Sequence, residues 1–255
     1  MTNRHAYALL DSATMLRRTL KHMARYPSAT VMIVGIPVVL LLLFVYVFGG
    51  AIQTGTDNYV NYLLPGILLI AIASGIAYTA YRLFMDMQRG IFERFHSMPI
   101  ARSTALWGHV LTSLVSNAIS VVVIILVALI MGFRSPAGVL SWLAVAGILA
   151  LFTLALTWIA AIAGLTAKSV DGAGAFSYPL IFLPFISSAF VLTKSMPSAV
   201  RAFAENQPVT SIVESIRALL TVQPVGKDIW VALAWCLGIM LVAYVFAMRA
   251  YKKRV

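Results

Sequence analysis

The chain has 255 residues, of which 61% are hydrophobic and only 11% are charged. A soluble domain has about 25% charged residues and roughly 45–50% apolar ones, so this composition indicates an integral membrane protein and excludes a soluble globular domain. The net charge of +11 would suggest a nucleic-acid partner on a soluble protein. Here the basic residues flank long apolar stretches, and we expect no nucleic acid.

Cysteine and histidine are too sparse to build a disulfide framework or a metal site. The one cysteine, Cys236, lies in an apolar run, and the four histidines show no close metal-ligand spacing. We therefore expect no metal site and no catalytic residue on this chain.

The first predicted element is an amphipathic helix over residues 6–25, within a segment 1–28 that precedes the first long apolar stretch. Apolar residues recur every three or four positions from Ala6 to Met23 and form one stripe. Pro27 ends the helix. A basic helix of this kind lies in the plane of the membrane interface, although the same charges would also serve as a topology anchor. Its basic residues are Arg17, Arg18, Lys21 and Arg25.

Six uncharged stretches are each long enough to cross a bilayer, which requires about 20 mostly apolar residues in a helix. The third and fourth are longer than one crossing needs, but neither has an internal charge or a turn cluster, so one helix each is the simpler interpretation. The sequence thus predicts an all-α integral membrane protein, with one domain over residues 1–255. The stretches are Ala29–Gly50, Tyr59–Tyr81, Ser103–Phe133, Ser135–Ala167, Gly172–Thr193 and Ile229–Met248.

The distribution of lysine and arginine predicts the orientation of these six spans. With both termini in the cytoplasm, 14 of the 19 basic residues lie on the cytoplasmic side, and short cytoplasmic loops are the ones that retain Lys and Arg. We therefore expect a multi-pass protein of a bacterial cytoplasmic membrane with both termini inside.

A charged island, residues 82–102, separates the second and third spans on the cytoplasmic side. Arg89 and Gly90 precede a short amphipathic helix, and Pro99 prevents its continuation. Arg89 can pair with the glutamate one turn later. Two phenylalanines beside a charged pair would make a poor bare surface, so we interpret the island as a docking helix in preference to a plain hairpin. Its central residues are Phe92, Glu93, Arg94 and Phe95.

The segment 194–228, on the external side, is too long for a plain connection. Its second part, Val209–Thr221, carries an apolar stripe that predicts a helix, with Glu214 and Arg217 on the remaining surface. A break at Asn206, Gln207 and Pro208 separates it from a first, more polar part. We expect two short helices that enter the outer leaflet and return, in preference to a disordered loop.

Six spans with these three additional segments in this order resemble the membrane subunit of ABC-2 type transporters, closest to the daunorubicin-resistance type of drug-efflux permease. The resemblance covers nearly the whole chain. Its most specific parts are the run from Arg89 to Pro99 and the run from Asn206 to Arg217. The family pattern implies a connecting helix before the first span, a coupling helix between spans two and three, and re-entrant helices before span six.

The resemblance also implies a partner that hydrolyses ATP. Nothing in the chain matches GxxxxGK[ST], the loop that cradles nucleotide phosphates, so no cofactor is expected on this chain, and ATP and Mg²⁺ would bind a separate ATPase subunit. Two membrane subunits would assemble with two ATPases, as a homodimer or as a heterodimer with a related permease, in contact with membrane lipid.

In similar transporters spans two and five line the substrate path between the membrane subunits. An aromatic, uncharged lining suits drugs or other amphiphilic, lipid-like cargo. The alternatives are an exporter of polysaccharides or teichoic acids, which needs a more polar channel, and a membrane assembly factor that does not transport. The resemblance places these residues of the chain on the path: Asn61, Ser74, Tyr78, Phe176, Tyr178, Phe182 and Phe185.

Overall fold

The computed structural model describes residues 27–49, 59–90 and 104–254. Within those ranges the chain is helical throughout its regular structure. Helix α1 is Pro27–Leu42 and continues as a π-helical turn, Leu43–Phe48. The other long helices are α2 Tyr59–Gln88, α3 Thr104–Ile130, α4 Val139–Thr166 and, last in the chain, α9 Asp228–Arg254.

Shorter helices occupy the region between α4 and α9. They are α5 Val170–Ala175, α6 Ser177–Phe182, α7 Ser198–Asn206 and α8 Pro208–Thr221, with 3₁₀ turns at Leu183–Ile186 and Thr193–Ser195.

Four of the described helices, α2, α3, α4 and α9, are long and apolar enough to cross a membrane. This agrees with four of the six predicted spans in type and position. The predicted first span coincides with α1 and its π-helical turn, displaced by two residues. The full count of six spans remains a prediction.

The prediction of one continuous helix over Gly172–Thr193 is wrong. That range holds most of α5, then α6, a 3₁₀ turn and the non-helical residues 187–192. Pro179 and Pro184 lie in it, and proline lacks the N–H that an α-helix needs one turn after each carbonyl. The helix is therefore interrupted and does not continue as one element.

Helix α2 is longer than predicted and lies at the centre of the molecule. It continues through Arg82 to Gln88, so the first seven residues of the charged island belong to this helix. It ends at Gln88, and the turn that follows includes Gly90, whose φ of 65° few residues other than glycine adopt readily. In its most apolar stretch 83% of the residues are buried within this one chain, against 22% for α9.

Small residues allow the helices around α2 to approach closely. A Cβ added at Gly164 of α4 would lie 2.9 Å from the backbone oxygen of Ala80, and one added at Gly75 would overlap the Asn117 side chain of α3. Close backbone approach through small residues is how helices associate in lipid, where apolar surfaces gain little by leaving the solvent. The buried residues of α2 therefore contact α3 and α4 directly.

Candidate functional site

Residues 187–190, here called the irregular segment, place non-helical backbone inside the apolar core. Ser187, Ser188, Ala189 and Phe190 are all at most 3% exposed. The Ser187 hydroxyl donates to the carbonyl of Pro184 (2.6 Å) and accepts from the N–H of Ala189 (3.1 Å). Buried carbonyls without a helical partner need donors from elsewhere, because irregular backbone at membrane depth is tolerated only where the protein satisfies it.

Arg217 of α8 supplies one of those donors. Its Nη2 donates to the carbonyl of Ser188 (2.8 Å) and to that of Tyr62 on α2 (3.1 Å), and its Nη1 donates to Glu214 (2.7 Å). The guanidinium carbon lies 3.8 Å from the centroid of the Tyr62 ring. One side chain thus joins α8, α2 and the irregular segment.

Tyrosines of α2 and Gln207 complete the arrangement, which we name the carbonyl clasp. The Tyr62 hydroxyl donates to the Ser188 carbonyl (2.9 Å), and Tyr59 donates to that of Phe190 (3.5 Å). Gln207 donates to the carbonyls of Ile186 and Leu183. The carbonyl clasp consists of Tyr59, Tyr62, Gln207 and Arg217 with the carbonyls they contact.

The break between α7 and α8 positions Gln207 for this contact. Pro208 is the first residue of α8, where a missing N–H costs nothing. Asn206 donates to the carbonyl of Ala202 (2.8 Å) and Thr210 to that of Ala204 (2.5 Å), which satisfies the end of α7. The predicted break at Asn206–Pro208 and the two helices on either side of it are confirmed.

Asn61, one of the predicted path residues, bonds to the connection between α3 and α4. Its amide nitrogen donates to the carbonyl of Arg134 (2.9 Å), and its amide oxygen accepts from the Arg134 N–H (3.2 Å). Ser135, the next residue, donates to the carbonyl of Leu220 at the end of α8 (2.6 Å). These bonds belong to the same end of the molecule as the carbonyl clasp.

The aromatic residues between α5 and the irregular segment differ in their exposure. Phe185 stacks on Phe190 (centroids 4.9 Å apart) and also approaches Phe182 (6.2 Å). Tyr178 and Phe182 are themselves about two-thirds exposed, at 63% and 61%, while Phe176 is partly buried against the core. Phe182 and Phe185 are brought together, and only Tyr178 and Phe182 present most of their surface outward.

The other half of α2 has an exposed stripe. Ser74, Tyr78 and Tyr81 are partly exposed and recur at helical spacing, and the rings of Tyr78 and Tyr81 stack at 5.9 Å. The Ser74 hydroxyl donates within its own helix to the carbonyl of Ile70 (2.9 Å). The predicted path residues Ser74 and Tyr78 thus share one face of α2, at the end opposite the carbonyl clasp.

Opposite this stripe, hydroxyl groups join three helices. Ser113 of α3 lies 3.0 Å from Thr79 of α2 and 3.0 Å from Thr157 of α4, oxygen to oxygen. Asn117 donates to the Ser113 carbonyl (2.9 Å). We name these four buried residues the hydroxyl junction. Near the Gln88 end of α2, Asp86 contacts His109 of α3 (Nε2 to Oδ2, 3.2 Å).

Much of the predicted docking surface lies outside the described residues. Arg89 and Gly90 close the Gln88 end of α2. The remaining residues of the coupling prediction, Phe92, Glu93, Arg94, Phe95 and Pro99, and those of the connecting helix, Arg17, Arg18, Lys21 and Arg25, are not among the residues that the structure describes.

Sequence reasoning placed Gln207 in the break between two helices without assigning it a contact, and it missed Tyr62. A buried amide in a break between two helices was the available signal for Gln207. Tyr62 offered none, because its partner Ser188 lies 126 residues away.

Comparison with known proteins adds two findings. Residues 12–221 match the family model described as ABC-2 type transporter. The chain is also 28% identical, over 253 residues, to the daunorubicin resistance ABC transporter permease protein DrrB1 of Streptomyces coeruleorubidus. That alignment covers 98% of this chain and 88% of the relative.

Proposed function

The chain belongs to the ABC-2 type transporter family and is the membrane permease subunit of an ABC exporter, and from that premise we propose that it exports drugs or other amphiphilic molecules. The observation that supports this cargo is the similarity, over nearly the whole chain, to a permease named for daunorubicin resistance. The outward rings of Tyr178 and Phe182 fit a flat, apolar cargo, since aromatic pairs stack favourably.

A separate subunit supplies the energy. The sequence has no phosphate-cradling loop, so ATP and Mg²⁺ bind an ABC ATPase partner, and this chain is not itself an enzyme. The membrane part is a dimer, formed by two copies of this chain or by this chain and a related permease.

The membrane arrangement has six crossings. Five of these crossings are the helices α1, α2, α3, α4 and α9. The remaining one, which lies between α4 and α9 in the chain, is the interrupted segment from α5 to residue 192. Both termini and the segment 91–103 lie in the cytoplasm, because most of the basic residues then lie inside. The carbonyl clasp, α7 and α8 belong to the external side.

Force from the ATPase enters through the segment that follows Gly90. Phe92 and Phe95 bury apolar surface in a cleft of the ATPase, and Glu93 and Arg94 fix the register by charge pairing. The basic helix within residues 1–28 rests on the cytoplasmic membrane surface through Arg17, Arg18, Lys21 and Arg25.

Co-purification tests the proposal. The detergent-solubilised chain, expressed together with a candidate ABC ATPase from the same organism, should elute as one complex with that subunit. A matched control deletes residues 91–99 and should leave the chain in the membrane while the ATPase is lost. A chain that never retains a nucleotide-binding subunit would overturn the proposal.

A further inference from the structure

Arg82 is a cation with one buried donor that none of the residues described by the structure satisfies. It lies on α2 one turn after Tyr78, with its guanidinium carbon 5.2 Å from the centroid of that ring. Its Nε is buried and has no hydrogen-bond partner within the described ranges. A buried donor on a charged group costs free energy unless an acceptor completes it.

The neighbouring carboxylate does not fill this role. Asp86 lies one turn further along α2, close enough to interact electrostatically with Arg82. Its Oδ2, however, contacts His109 of α3 at 3.2 Å. This carboxylate is thus engaged by a different helix.

The position of Arg82 on the helix indicates where its acceptor would come from. It follows the apolar stretch of α2 directly, where the hydrocarbon of a bilayer gives way to headgroups. Tyr81 beside it is 36% exposed, so apolar ring surface continues from the guanidinium toward the region of the acyl chains. Arg89, exposed and seven residues further along, adds positive charge on the same face.

A phosphate fits this arrangement best. The guanidinium presents donors in a planar fork that matches two oxygens of a phosphate, and such charge-assisted bonds are among the strongest in proteins. Basic pockets between membrane helices bind the headgroups of anionic lipids. We infer that Arg82, flanked by Tyr78 and Tyr81, holds the phosphate of an anionic phospholipid at the Gln88 end of α2. This inference concerns lipid binding and does not depend on the transport cargo.

Arg249 of α9 provides a matched control. It also follows an aromatic residue near the end of a long helix, with its guanidinium carbon 6.0 Å from the centroid of the Phe246 ring. Unlike Arg82, its side chain is exposed, so water can satisfy its donors. A general attraction of arginine for anionic lipid would act at both positions, whereas a specific binding site would act only at Arg82.

Native mass spectrometry of the purified full-length chain tests the inference. The chain is mixed in detergent with equal amounts of phosphatidylglycerol and phosphatidylcholine, and the lipid retained by each species is counted. We expect the wild type to retain phosphatidylglycerol preferentially, Arg82→Gln to retain roughly tenfold less of it because a charge-assisted pair is lost, and Arg249→Gln to match the wild type. Equal retention by Arg82→Gln, or an equal loss in Arg249→Gln, would overturn the inference.

Two further measurements use the wild-type chain and so do not depend on whether a variant folds. Inorganic phosphate at millimolar concentration should leave the retained phosphatidylglycerol in place, and its displacement would identify a site for a free anion instead of a lipid. A photoactivatable phosphatidylglycerol added to the wild type should label peptides that contain Tyr78 to Met85. Labelling confined to peptides around Phe246 would contradict the assignment.

Discussion

The two ends of α2 are built in different ways. At the Tyr59 end, side chains from α2 and α8 donate hydrogen bonds to irregular backbone that is buried in the apolar core. At the Gln88 end, the stripe with Tyr78 and Tyr81 lies beside Arg82, and Gly90 closes the helix just before the segment that we assign to the ATPase.

This difference suggests that the two ends of α2 have different mechanical roles. Buried carbonyls that depend on specific donors resist displacement, because breaking the contact leaves unsatisfied groups in a medium without water. The Gln88 end has fewer bonds of this kind, and the hydroxyl junction can exchange partners within each helix. We therefore expect the Tyr59 end to act as the fixed end and the Gln88 end to move when the ATPase pushes.

The largest expected effect is at the centre of the carbonyl clasp. Arg217→Ala removes donors from the carbonyls of Ser188 and Tyr62 and should lower the free energy of unfolding by about 3 kcal/mol. Unfolding in mixed micelles measures the change.

Arg201→Ala on α7 is the matched control for that variant. Arg201 pairs with Glu205 at 2.7 Å, but both side chains are 44% exposed. An exposed pair of this kind contributes less than about 1 kcal/mol. Equal destabilisation by the two variants would remove the special role of Arg217.

A smaller effect is expected where the irregular segment contacts α2. A Cβ added at Gly66 would lie 2.6 Å from the Cβ of Ala189, so Gly66→Ala should push the segment away and cost about 1–3 kcal/mol. Gly147→Ala on α4 is the control, because nothing lies within 4 Å of the added Cβ there. It should be neutral or slightly stabilising. The melting temperatures of the purified variants distinguish the two. An unchanged melting temperature of Gly66→Ala would mean that the segment moves aside at little cost in free energy.

The smallest effect is expected at the hydroxyl junction. Ser113→Ala removes the oxygen between Thr79 and Thr157, but each threonine keeps a contact with a carbonyl of its own helix, Gly75 at 3.3 Å and Thr153 at 2.7 Å. The cost should be about 0.6 kcal/mol, the average for such bonds in membrane proteins. Thr166→Ala, an exposed hydroxyl bonded within α4, is the control. A loss as large as that of Arg217→Ala would erase the contrast between the two ends.

Local sequence patterns predicted the long helices and α8 well. The stripe Val209, Ile212, Val213, Ile216 and Leu220 is buried, at most 3% exposed, because a helix in an apolar core buries the face that its periodicity defines. The pattern also located the break before Pro208.

Other features could not be read from local patterns. The interruption after α6 depends on buried carbonyls finding donors on α2 and α8, and these donors are distant in the chain. The two bonds of Asn61 to Arg134 join residues 73 positions apart, and no local pattern around Asn61 indicates them. Hydrogen bonds between segments that are distant in the chain produce no local pattern of residue spacing in the sequence.

The central claim is that the Gln88 end transmits force and the Tyr59 end stays fixed. The most direct test reconstitutes this chain with its ATPase in proteoliposomes and measures ATP hydrolysis stimulated by an aromatic amphiphile. Glu93→Ala should abolish most of the stimulation while membrane insertion and melting remain those of the wild type. Stimulation by Glu93→Ala equal to that of the wild type would contradict the account.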